Sequence, residues 1–153
     1  MCCLAFIFAY VEYLIPFQFA VPGIKLGLPN LCIVIVMFAV SEVDALAVNL
    51  GRIVLSALLF TNLSMMIYSI AGAALSFVVM VLLKRFAKNG IAGVSVAGAV
   101  AHNLAQIATA ALITGTARIF YYLPFLILSG IGTGLLIGYA AGLLIPRLNF
   151  KKD

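Results

Sequence analysis

Six apolar runs, at about residues 1–15, 27–40, 43–60, 65–83, 91–114 and 121–145, take up most of this 153-residue chain, with short polar punctuation between them. An α-helix needs about 20 apolar residues to cross a bilayer. The runs therefore predict an all-α fold, an integral membrane bundle of six transmembrane helices forming a single domain over residues 1–153, with the second run the weakest. A soluble domain carries about a quarter charged residues, whereas this chain is 66% hydrophobic and 8% charged. Connections this short are expected to leave no room for an extramembrane domain, so any catalysis would fall within the bundle or on a partner. The first run, residues 1–15, has no basic leader and no small-residue cleavage site, and reads as the remaining part of a first helix, not a signal peptide.

The punctuation carries its own signals. Pro16, Pro22 and Gly23 break helix in the connection over residues 16–25 while most neighbours stay apolar, a composition suited to a segment that folds back as a lid. Ser41 followed by Asp44 is a capping-box pattern for the start of the third span. Thr61, Asn62, Leu63 and Ser64 read as a tight turn, and Asn89-Gly90 as a connection whose residues readily take the left-handed conformation.

Lys84, Arg85, Lys88, Arg147, Lys151 and Lys152 fall on one side of the predicted bundle, against Lys25 and Arg118 on the other. Basic residues collect on the cytoplasmic side. That predicts a multi-pass protein of the cell membrane with both termini cytoplasmic and the Pro-rich first loop outside. The net charge of +5 then reports topology and not nucleic-acid binding, for which no motif is present. Cys2, Cys3 and Cys32 have no metal-ligand spacing, and Cys32 reads as a small core hydrophobe, so no metal and no cofactor are expected. The halves of the chain show no repeat, since the long first loop has no counterpart in residues 80–153.

Arg52 stands in the middle of the third run, and a cation at that depth costs about 2.5–3.5 kcal/mol on insertion scales. It needs an anion or a water-lined cavity. Asn49, Arg52 and Ser56 share one helical face. On the fifth run, Gly93, Ala97 and Ala101 recur at spacing four, with Gly98, His102 and Gln106 on the adjacent stripe and Asn103 one step round. This pattern has two readings: a small-residue packing seam with its polar groups hydrogen-bonded to neighbours, or a polar cavity lined by His102, Asn103 and Gln106. Glu12, the one acid within the first run, either pairs with Arg52 or lies too far away, which would leave the guanidinium to an anionic ligand. Lys25 and Arg118 sit near Tyr121 and Tyr122 on the outer side, as interfacial anchors do, yet Lys25 between Gly23 and Gly27 also suits a ligand-contacting lid. No catalytic constellation is visible. Four acids without an Asp-rich motif offer no place for the carboxylate-held magnesium of a diphosphate site, and no phosphate-binding Gly loop, nucleophile elbow or zinc-protease motif occurs.

The strings Pro22-Gly23-Ile24-Lys25-Leu26-Gly27-Leu28-Pro29-Asn30, Leu50-Gly51-Arg52, Asn62-Leu63-Ser64-Met65, Tyr68-Ser69-Ile70-Ala71-Gly72, Ala101-His102-Asn103-Leu104-Ala105-Gln106 and Tyr122-Leu123-Pro124 resemble the Gx transporter family, also named heptaprenyl diphosphate synthase component I. The resemblance covers nearly the whole chain. It departs from the family at the short first run and at Pro29, where the family pattern has Ala, though a first helical turn tolerates Pro. The family is similar to the substrate-binding S components of energy-coupling factor importers. That likeness implies a small-molecule site near the outer face, under the first loop. It also implies a membrane coupling protein with ATPases as partners, and Ala5 and Ala9 on the first span as a docking seam. The synthase name implies instead an accessory subunit of prenyl diphosphate synthesis working beside a soluble prenyl synthase. The residues favour the first reading, with Arg52, Asn49, His102, Asn103 and Gln106 facing a cavity and Lys25 on the lid. A structural membrane protein with fully paired polar groups is the third.

Overall fold

Each apolar run becomes one helix in the computed structural model, which describes residues 1–14, 27–59, 63–86 and 90–148. The helices are α1 (Cys2–Leu14), α2 (Leu28–Ala39), α3 (Glu42–Leu59), α4 (Leu63–Phe86), α5 (Ile91–Thr114) and α6 (Leu123–Leu144), with short 3-10 segments Ala117–Tyr122 and Ile145–Arg147 on either side of α6. The described residues contain no strand. Among the described residues three helical stretches, Met66–Phe86, Ile91–Thr114 and Ala117–Arg147, are long and apolar enough to cross a membrane. Of the other helices expected to span, α1 and α2 have 13 and 12 residues, and the 18-residue α3 carries Glu42, Asp44 and Arg52.

The weakest of the apolar runs forms the centre. Cys32, Ile33, Val34, Ile35, Val36 and Met37 are all buried in α2, which packs against α1, α3 and α6. A helix apolar on every side has no polar face to turn outward, and a 10–14-residue apolar stretch suits a core helix better than a span. Pro29 falls in the first turn of α2, where the missing N–H breaks no helical hydrogen bond. The exterior is apolar too: Leu128, Leu135 and Tyr139 of α6 and Leu58 of α3 stand exposed. Such a surface is stable against lipid tails and a liability in water.

The tightest packing joins α5 to α6. Gly130, Gly134 and Gly138 recur every fourth residue on α6, and a Cβ at Gly134 would lie 2.6 Å from the Val96 Cα and one at Gly138 2.6 Å from the Ala92 Cα. The backbones of the two helices therefore touch, as small residues allow. Of the expected α5 seam, Gly93 is exposed, while Ala101 is buried and Gly98 packs closely against Met80 of α4; the α6 glycines meet Ala92, Ser95, Val96 and Val100 of α5.

Polar groups close the far end of the bundle. Ser41 caps α3: its Oγ accepts from the Asp44 amide at 3.0 Å, one half of the capping-box pairing, while the Asp44 carboxylate accepts from the Ser41 hydroxyl itself. The Arg85 guanidinium donates to Glu42 through Nε at 2.9 Å and also through Nη2. Lys84 lies 3.5 Å from the same carboxylate and donates to the Met37 carbonyl in the last turn of α2. One acid thus ties the ends of α2, α3 and α4. Gly90, expected to be left-handed, is instead extended (φ −62°, ψ 164°) at the start of α5, and Asn89 lies outside the described residues.

Hydrogen bonding from Arg85, together with the charges of Arg85 and Lys84, holds the Glu42 carboxyl below the usual carboxylate range against a smaller opposing effect of burial. A depressed folded-state pKa contributes stability that is present above the unfolded value and lost as pH falls through the folded one. Glu42→Gln is therefore expected to lower the melting temperature slightly at pH 7. In thermal unfolding scans the difference from the parent chain should shrink to nothing as pH drops below the carboxylate range. A difference that persists at low pH would assign the effect to packing.

Candidate functional site

A cavity of about 130 Å³ lies where all six helices converge, in the half of the bundle away from Glu42, Lys84 and Arg85. Its wall draws Glu12 and Tyr13 from the end of α1, Asn30 from the start of α2, Arg52 and Ser56 from α3, Ser69 from α4, His102, Asn103 and Gln106 from α5, and Thr133 from α6. These polar groups converge inside a chain whose helices are otherwise apolar. Convergent polar groups on a cavity wall are a common feature of ligand pockets.

Arg52 reaches the cavity from the middle of α3. Its Nη2 donates to the Asn49 Oδ1 at 2.9 Å, and its Nε is buried with no hydrogen-bond partner among the described residues. Asn49 is itself buried, 4% exposed, and does not border the cavity. It sits one turn back and fixes the direction of the guanidinium. On the same wall the Glu12 carboxylate accepts the Gly27 amide at 2.5 Å. Gly27 precedes α2 in the left-handed region (φ 72°), which a residue with a side chain rarely adopts, and a Cβ there would also press on Ile137 at 3.2 Å. One glycine therefore delivers an amide at the positive end of α2 to an acid on α1.

His102 packs face-on against α4. The position of a Cβ on Gly72 lies 2.8, 2.9 and 2.9 Å from its Cε1, Nδ1 and Nε2, so only a residue without a side chain lets the imidazole lie there. Asn103 spends its Nδ2 on the Leu126 carbonyl of α6 at 2.8 Å. Gln106 follows one turn along the same wall.

Arg52, His102, Asn103 and Gln106 are thus brought together, with Asn49 behind them. Lys25 lies outside the described residues. Ala9 borders the cavity, while Ala5 has 0% exposure. Ala5 thus packs within this chain, and Ala9 is half-buried. Sequence reasoning missed Tyr13, Asn30, Ser69 and Thr133 as wall residues. Ser69 carried a signal, three positions before Gly72 on the same face of α4, but isolated hydroxyls in apolar helices more often bond their own backbone. Thr133 does so, donating to the Ser129 carbonyl at 2.9 Å.

The family described as heptaprenyl diphosphate synthase component I matches residues 1–144. The chain belongs to that family. No curated protein and no solved structure gave a match. In this component I family member the acids are dispersed. Glu12 is on the cavity wall and Glu42 and Asp44 are at the opposite end of α3, an arrangement unlike the clustered carboxylates that hold magnesium on a diphosphate.

Proposed function

We propose that this component I family member is a membrane-embedded, S-component-like substrate-binding subunit of an energy-coupling factor type importer for a small vitamin-like or isoprenoid/quinone-related compound. The observation that carries the reading is the polar cavity around Arg52, whose buried Nε has no acceptor among the described residues. Leaving such a donor unpaired costs about 1–3 kcal/mol, and a bound acceptor recovers it. In this reading all six helices lie in the cell membrane with both termini cytoplasmic. The end of the bundle carrying Lys84, Arg85 and Arg147 faces the cytoplasm, where a coupling protein and ATPases would dock.

The test joins binding to transport. Protein purified in lipid nanodiscs should retain a small molecule detectable by mass spectrometry of the extract. Arg52→Ala and His102→Ala should each lower uptake in cells at least about tenfold, the equivalent of one lost charge-assisted hydrogen bond. Protein that retains nothing, together with unchanged uptake in both variants, would end the importer reading. The family description supports a second reading, a membrane accessory subunit beside a soluble prenyl synthase. Co-purification with such a synthase, and altered product length on deletion, would favour it.

A further inference from the structure

Where α5 ends, the chain turns back and leaves a groove on the outside of the bundle. Gly115 caps α5 in the left-handed region (φ 63°), and the 3-10 segment Ala117–Tyr122 that follows packs back against α5 and α6. Between them lies an open groove lined by Ala108, Ala111, Leu112, Gly115, Ala117 and Phe120, with no polar side chain among them. Four of these six are Ala or Gly, which leaves a depression beside the bulkier Leu112 and Phe120. Leu112 is 83% exposed. The groove is separate from the cavity around Arg52, since none of these residues borders both.

We propose that this groove seats an acyl chain of an anionic phospholipid whose phosphate pairs with Arg118. Arg118 stands between the lining residues Ala117 and Phe120, is exposed, and forms no ion pair among the described residues. Residues 45–152 include no acid, so nothing around it in the sequence neutralises it. Tyr121, 81% exposed, and Tyr122 follow on the same segment, and tyrosines of this kind sit at headgroup level. From that level the groove runs along α5 through Leu112 and Ala111 to Ala108, about two helical turns before Gly115 and toward the hydrocarbon. A cation at phosphate depth above an apolar channel is complementary to a lipid, charge to headgroup and groove to tail. An anionic headgroup is favoured over a zwitterionic one because choline brings a second cation to compete with the guanidinium for the phosphate. The inference goes beyond the binding-subunit reading and needs only that these helices lie in a bilayer.

Photolabelling of the full chain in phosphatidylcholine nanodiscs tests it. A small fraction of the lipid carries a diazirine in its tail, on either a phosphatidylglycerol or a phosphatidylcholine headgroup. Peptide mass spectrometry then reads adducts on residues 108–120 against adducts on the exposed α6 residues Leu128, Leu135 and Tyr139, which report bulk lipid. Normalised to α6, the phosphatidylglycerol probe should label the groove about fivefold more than the phosphatidylcholine probe, and Arg118→Gln should bring the two together. Ala111→Phe, which fills the groove and keeps the charge, should lower labelling by both. The headgroup comparison is read in the unaltered protein, so it stands even if a variant misfolds. Equal labelling by the two probes, a preference untouched by Arg118→Gln, or groove residues cross-linked to a second copy of the chain in place of lipid would overturn the proposal. None of these results bears on the importer reading, which is judged by ligand retention and uptake.

Discussion

Gly134→Ala is expected to force α5 and α6 apart and to be among the most damaging single-methyl substitutions in the chain. The added Cβ would sit 2.6 Å from the Val96 Cα, 3.0 Å from the Val96 N and 3.1 Å from the Ser95 carbonyl oxygen. All three are backbone atoms that no rotamer change can withdraw. Overpacking of this kind costs about 1–3 kcal/mol and sometimes more. Here it acts against the gain of roughly 0.5–1 kcal/mol that Ala normally brings to a helix interior. Gly132→Ala, two residues away on the same helix, is the matched control, because a Cβ there meets nothing within 4 Å. It should be neutral or mildly stabilising. Thermal unfolding in detergent micelles compares the two directly. Equal melting temperatures would show that the helices are not in backbone contact at Gly134.

Gly72→Ala is expected to damage the cavity more than the fold. The new methyl would land on the face of the His102 ring, 2.8–2.9 Å from three of its atoms. The imidazole can move where backbone could not, and the nearby open space is the cavity of about 130 Å³ that it already borders. A ring displaced into that volume takes the place of a ligand, so ligand retention should fall at least about tenfold, equivalent to 1.4 kcal/mol or more. The melting temperature should change far less than in Gly134→Ala. Adding His102→Ala removes the obstacle. The double variant should regain cavity volume and bind more tightly than Gly72→Ala alone, a coupling that distant, independent sites do not show. If the second substitution restores nothing, α4 has yielded and not the ring.

Helices were legible because each rests on a run of side chains contiguous in the sequence. The predicted run at 91–114 and the observed α5, Ile91–Thr114, coincide, and the Ser41 hydroxyl caps α3 as its place before Asp44 indicated. Arg52 and Asn49 were legible together for the same reason, since three residues along a helix place side chains on one face. What the spacing concealed was the division of labour between them. Asn49 lies behind the guanidinium, and only the packing of the neighbouring helices shows which of two residues on one face borders a void.

Elsewhere the decisive relations were between residues far apart in the chain. Glu12 and Gly27 meet across 15 positions, and Gly72 owes its role to an imidazole on the next helix. The glycines at 130, 134 and 138 have a visible period, but small residues alone do not say whether they face a neighbour or lipid. The second run read as the weakest span and is the shortest of the six, while the burial of Cys32, Ile33, Val34 and Met37 depends on what surrounds the helix.

Local chemistry in the chain determined that it is helical, apolar on its exterior and burdened with one guanidinium deep in an apolar run, since backbone satisfaction and hydropathy act residue by residue. The three-dimensional packing decided that α2 is the core, that α6 supplies the close seam, and that polar groups from all six helices line one small cavity. Those outcomes depend on side-chain volumes meeting across helices, and a volume left unfilled belongs to no single segment.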